Sequence, residues 1–85
     1  IMNTLTFEEL RNDTSLKFTD ISTEASRRYR YPREEYIVIE APVALNVSKA
    51  GGHRILDGQG VSYYVPRGWI GLSWVAKDGA PHFVK

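Results

Sequence analysis

The residues of this chain best suited to chemistry lie in one run, RRYRYPREEY, from Arg27 to Tyr36, in which arginines interleave with tyrosines ahead of two glutamates. A guanidinium pairs with carboxylate or phosphate in bidentate fashion, and a tyrosine ring stacks on a base or packs an interface. In an extended strand Arg28 and Arg30 project to one face, while Arg27, Tyr29 and Tyr31 project to the other. Two readings stand side by side. In the first, the run recognises a partner, either a protein or, as the alternative, a nucleic acid. In the second, it is an amphipathic strand with tyrosines inside and arginines solvated or paired with Glu34, Glu35 and Glu40. The formal net charge of +1 weighs against nucleic acid as the leading partner, because the basic cluster is bounded by acidic sequence on both sides.

Other chemistry is weaker. His53, His82 and Asp57 are the residues from which a metal site would be built, but no two histidines are spaced as paired ligands on a strand, so no metal and no cofactor is expected. His53 is expected instead to hydrogen-bond the glycine-rich turn beside it. Ser73 in GLSWV lacks the flanking glycines of a nucleophile elbow. Asp57 and Asp78 each stand beside a glycine, where aspartate serves a turn by accepting backbone amides. No catalytic residue emerges, and the chain is read as a non-enzyme. On strand alternation Trp69 and Trp74 fall on opposite faces; Trp74 is expected in the core with Ile70 and Leu72, leaving Trp69 partly exposed as an anchor beside Tyr64 or Arg67.

The elements that must position these residues read mainly as strands. With 85 residues the chain is one domain, residues 1–85, which buries only roughly 60–65% of its unfolded surface. It has no cysteine, so neither a disulfide nor a cysteine-ligated zinc site supplements the core. Thr6 followed by Glu9, with Leu5 and Leu10 around them, is a capping-box pattern that predicts a short helix over about Phe7 to Asn12. Leu16 to Tyr31 fits both a helical stripe and strand alternation; strand is preferred because Pro32 disfavours helix at Tyr31.

PREE then reads as a turn. In the strand that follows, Ile37, Ile39 and Ala41 face one way and Tyr36, Val38 and Glu40 the other, with both faces expected to be largely covered. Pro42 interrupts that strand. Val43, Leu45 and Val47 form the core face of the next, KAGG and DGQG turn the chain through two hairpins, and Trp69–Ala76 and His82–Val84 complete the set. The expected architecture is a small curled antiparallel sheet or barrel of about six strands, or the same strands folded into a two-layer sandwich, connected as a meander, with one short N-terminal helix.

From Pro42 onward, the stretches PVALNVS, GGHRI, SYYVPRGWIGLSW and PHFV resemble a pattern found in short uncharacterised proteins of tailed bacteriophages and prophages. The resemblance implies a phage or prophage accessory protein and brings no catalytic residues with it. IMNTLTFEEL has neither the basic start nor the apolar centre of a secretory leader, and no apolar run approaches the roughly 20 residues of a membrane helix. A location in the cytoplasm of a bacterial host is therefore expected. The function expected from the sequence is a non-catalytic interaction module that binds another protein through Arg28, Arg30, Tyr31, Arg33, Arg67 and Trp69. A small nucleic-acid-binding barrel using residues 27–36 is the alternative, and a homodimer through an exposed edge strand is a further association the sequence allows.

Overall fold

The computed structural model describes residues 16–83, so the helix expected over Phe7 to Asn12 lies outside the described residues. The described chain is mainly β: β1 Thr19–Asp20, β2 Glu24–Tyr31, β3 Glu35–Glu40, β4 Pro42–Val47, β5 His53–Asp57, β6 Ser62–Val65 and β7 Gly71–Ala76. The strands form two antiparallel sheets, ordered β1-β4-β5-β6 and β3-β2-β7, and among the described residues neither closes into a barrel. Of the expected arrangements, the two-layer sandwich is the one observed, and the single curled sheet or barrel is not. The ambiguous segment ending at Tyr31 is strand over Glu24–Tyr31.

One residue explains why the chain makes two sheets rather than a meander. Ala41 lies between β3 and β4 with φ +50°. Its amide donates to Ala25 O at 2.9 Å, in the three-stranded sheet, while its carbonyl accepts from Gly58 N at 2.9 Å, beside the four-stranded one. Pro42, with no amide to give, cannot extend the β3 ladder, so the chain bends at Ala41 and Pro42 opens a strand in the other layer. The meander is confined to β4, β5 and β6; β7 then returns to the first sheet on the free side of β2.

The core between the layers consists of Ile21, Tyr29, Ile39, Ile55 and Val65, with Tyr31, Ile37, Leu45, Tyr63, Trp69 and Leu72 packed around it. Three sequence expectations fail here. Of Val43, Leu45 and Val47 only Leu45 joins the core, because a bulge between Pro42 and Ala44 shifts the start of β4 and Val47 stands at its open end. Trp69 is half-buried and Leu72 packs on the core, both as expected, but Trp69 also packs on the core while Trp74 is only half-buried outside it and Ile70 is 60% exposed, because the strand begins at Gly71. Pro81–Phe83 is not strand, and Phe83 is exposed; among the described residues no strand pairs with it.

Turns are set by residue type where the backbone demands it. Asp57 accepts the amides of Gln59 and Val61, both at 2.9 Å, as expected of an aspartate heading a glycine turn. These amides, Val61 first, hold its carboxyl below the ordinary aspartate range against the opposing effect of desolvation. At Gly52 a Cβ would stand 2.5 Å from the Tyr64 hydroxyl oxygen and 3.0 Å from Val65 O, so a side chain here would require Tyr64 to move aside.

Candidate binding face and the buried network behind it

β2 is the central strand of its sheet, and its alternating arginines meet opposite surroundings. The alternation read from the sequence is the one observed: Arg27 and Tyr29 are buried, Tyr31 is half-buried, and Arg28 and Arg30 are exposed.

On the inner side, Glu24 is fully buried and Arg27 is 5% exposed. They form a bidentate pair, Arg27 Nε donating to Glu24 Oε1 at 2.9 Å and Nη2 to Oε2 at 2.7 Å. Arg27 Nη1 also donates to the Tyr29 hydroxyl at 3.2 Å, and that hydroxyl lies 2.6 Å from His53 Nδ1. Because the tyrosine oxygen already accepts from Arg27, its own proton is directed to Nδ1, which assigns His53 the neutral tautomer protonated on Nε2. Burial and then the Arg27 charge lower the His53 pKa, in agreement with that assignment. Burial also raises the Tyr29 pKa. For Arg27, desolvation alone would favour loss of the proton, but the hydrogen bonds it donates to Glu24 and Tyr29 outweigh it and raise the pKa.

Aromatic rings enclose this network. Trp69 meets Tyr29 edge-on at 5.0 Å and His53 at 4.7 Å between centroids, and the Arg27 guanidinium lies 5.1 Å from the Trp74 ring. Trp74 stacks on His82 at 5.2 Å, and His82 Nε2 stands 3.6 Å from Glu24 Oε2. His53 therefore bonds Tyr29 across the two sheets, not the glycine turn next to it in sequence. His53, His82 and Asp57 serve separate partners, and among the described residues no three His, Cys, Asp or Glu side chains gather as a metal site.

The sequence gives little sign of the Glu24–Arg27 pair, since residues three apart in a regular strand face opposite ways. A bulge between Glu24 and Ser26 inserts the extra residue that turns Glu24 inward beside Arg27.

On the outer side, register generates a three-by-three face. Its rows are Tyr36–Arg30–Gly71, Val38–Arg28–Ser73 and Glu40–Ser26–Val75. The Arg28 guanidinium lies 4.0 Å from the centre of the Tyr36 ring. Neither Arg28 nor Arg30 makes an ion pair among the described residues. Val38 is 51% exposed and Val75 61%, so this face of β3 is open and not covered as the sequence pattern suggested. The outer face of the other sheet offers a contrast: Arg54 donates to Asn46 Oδ1 at 2.7 Å and so is already engaged.

The six residues expected at a binding site separate into different environments. Arg28 and Arg30 share the outer face. Arg33 is exposed in the Pro32–Glu34 turn at the end of that face, with φ +67°. Tyr31 points inward and donates its hydroxyl to Pro66 O at 2.6 Å, and burial raises its pKa. Trp69 packs on the core, and Arg67 extends along Gly51 beyond the sandwich end. Tyr36 and Val38 join the arginines, and strand parity had placed them together on one face of β3. What parity alone could not supply was the side by side placement of β3 and β2.

No protein-family model, curated protein or solved structure gives a significant match to this chain. Among the described residues no helix is long and apolar enough to cross a membrane.

Proposed function

We propose that this chain is a non-catalytic interaction module that binds another protein through the outer face of its β3-β2-β7 sheet. One observation carries the reading: Arg28 and Arg30, without ion-pair partners among the described residues, stand at the centre of a face that also exposes Tyr36, Val38 and Val75. Arginine and tyrosine beside aliphatic surface is the composition of interface hot spots. On the inner side every buried side-chain nitrogen and oxygen among the described residues has a partner, so the Glu24–Arg27–Tyr29–His53 network is read as structural and the outer face as the contact surface. The resemblance of residues from Pro42 onward to phage and prophage accessory proteins suggests a partner in a bacterial cytoplasm or in a virion assembly.

Affinity capture from a bacterial lysate tests the reading, with the Arg28→Ala/Arg30→Ala variant as control. A specific protein retained by the native chain and lost with the variant is the expected result. Identical captures would overturn this face as the site.

The stacked Arg28–Tyr36 pair is the one observation that favours the second reading, a small nucleic-acid-binding domain, since such a pair is also a platform for a base. Binding of single-stranded oligonucleotide that weakens steeply with salt would select it. The edge of β3, unpaired among the described residues, is also where a second copy of the chain would add to form a homodimer, a state light scattering at micromolar concentration detects.

A further inference from the structure

The chemistry of the outer face specifies its ligand more closely, on the reading that this face binds protein. We infer that it takes an extended peptide segment carrying an acidic side chain and, two residues on, an aliphatic one. Two depressions lie side by side on the face. One, of about 280 Å³, is bounded by Arg28, Arg30, Tyr36, Gly71 and Ser73. The other, of about 360 Å³, shares Arg28, Tyr36 and Ser73 with it and is walled by Val38 and Val75 with Ser26 between them.

The first depression is basic and one-sided. Tyr36 rises on the β3 side, whereas Gly71 has no side chain and Ser73 a short one, so a ligand reaches the guanidinium groups from the β7 side. The Tyr36 ring restrains the Arg28 guanidinium, which reduces the rotamer freedom lost when a carboxylate is bound. The second depression has a small floor at Ser26 between two half-exposed valines, a shape for an aliphatic side chain.

Spacing joins the two. Arg30, Arg28 and Ser26 are alternate residues of one strand, about 6.7 Å apart at each step, and side chains two apart in an extended peptide repeat at the same interval. Glu40, in the row of Ser26 and Val75, repels an acid at that end and so fixes the direction of the segment. A phosphodiester backbone would satisfy the arginines but offers nothing to Val38 and Val75, which is why a peptide is favoured over nucleic acid.

The test is an NMR titration of the isotope-labelled full chain with the capped peptide Gly-Ser-Glu-Thr-Leu-Ser-Gly. Amide shifts are expected at Arg28, Arg30, Ser73 and Val75. Replacing the peptide glutamate by glutamine, or using Arg28→Ala protein whose spectrum elsewhere is unchanged, should weaken binding about tenfold, the loss of one charge-assisted pair. Replacing the peptide leucine by serine should weaken it severalfold. Equal binding of the glutamine peptide, or shifts confined to other surfaces, would overturn the inference. No shifts at millimolar peptide, with lysate capture still dependent on Arg28 and Arg30, would overturn it and leave the protein-binding reading standing. Oligothymidylate that shifts the same amides at lower concentration would assign the face to nucleic acid and overturn both.

Discussion

Arg27 and Arg28 are neighbours in sequence and opposites in physics. Arg27 is enclosed by Glu24, Tyr29 and Trp74 and has every reason to stay where it is; Arg28 lies over one tyrosine ring with its hydrogen-bonding capacity turned to solvent. The same side chain is thus structural on one face of β2 and available for recognition on the other. The difference teaches that an arginine-rich strand is not by itself a binding strand. Its charge counts toward recognition only where the fold leaves the guanidinium uncommitted.

The largest expected effect is on the inner face. Replacing Arg27 by methionine leaves the fully buried Glu24 carboxylate without its partner and should cost about 3–5 kcal/mol in urea unfolding. Adding Glu24→Leu to that variant should recover most of the loss, because the double variant buries no unpaired charge. On the outer face Arg28→Met should change stability by less than about 0.5 kcal/mol. If the two single variants unfold at the same urea concentration, the distinction between the faces is wrong.

A pH titration sharpens the same comparison. His53 is held neutral in the fold with a pKa below its unfolded value, so the unfolded chain binds the proton more tightly. Stability should be fully present above the ordinary histidine range and decline as pH falls from about 7 toward 5. Protonation would place a second cation beside Arg27 and leave the Tyr29 proton without its acceptor. His53→Gln should flatten the thermal-unfolding midpoint across that window; an unchanged slope would show that the Tyr29–His53 bond does not couple the sheets in this way.

A smaller effect belongs to the turn joining β2 to β3. Arg33 and Glu34 both hold positive φ, +67° and +59°, where a side chain is strained. Glu34→Gly should stabilise the chain by roughly 0.5–1 kcal/mol, the relief of left-handed strain less the added entropy of glycine. If Glu34→Gly also impairs partner binding, the strained turn belongs to the binding face.

Much of the fold is legible in local sequence. Alternation in RRYRY assigns the faces of β2, Pro32 ends it, and the glycine turns at Gly51–Gly52 and Gly58–Gly60 bound β5. That Trp69 packs on the core and Trp74 does not was not legible, because it depends on where β7 begins, next to Ile70 N donating to Arg30 O at 2.7 Å, forty residues away in sequence. Of the outer face, the pairs Arg28 and Arg30 on β2 and Tyr36 and Val38 on β3 were visible in the sequence. Ser73 and Val75 were not, since β7 reaches β2 only by crossing from the other sheet.

The order of residues alone determined that Arg28 and Arg30 share a side, that Tyr29 and Tyr31 share the opposite one, and that short strands dominate, because a pleated backbone repeats every two residues whatever surrounds it. Tertiary structure decided which side is covered. Only the second sheet brings His53 to Tyr29, only a bulge turns Glu24 toward Arg27, and only β7 closes the outer face, since burial and partnership are properties of segments far apart in the chain.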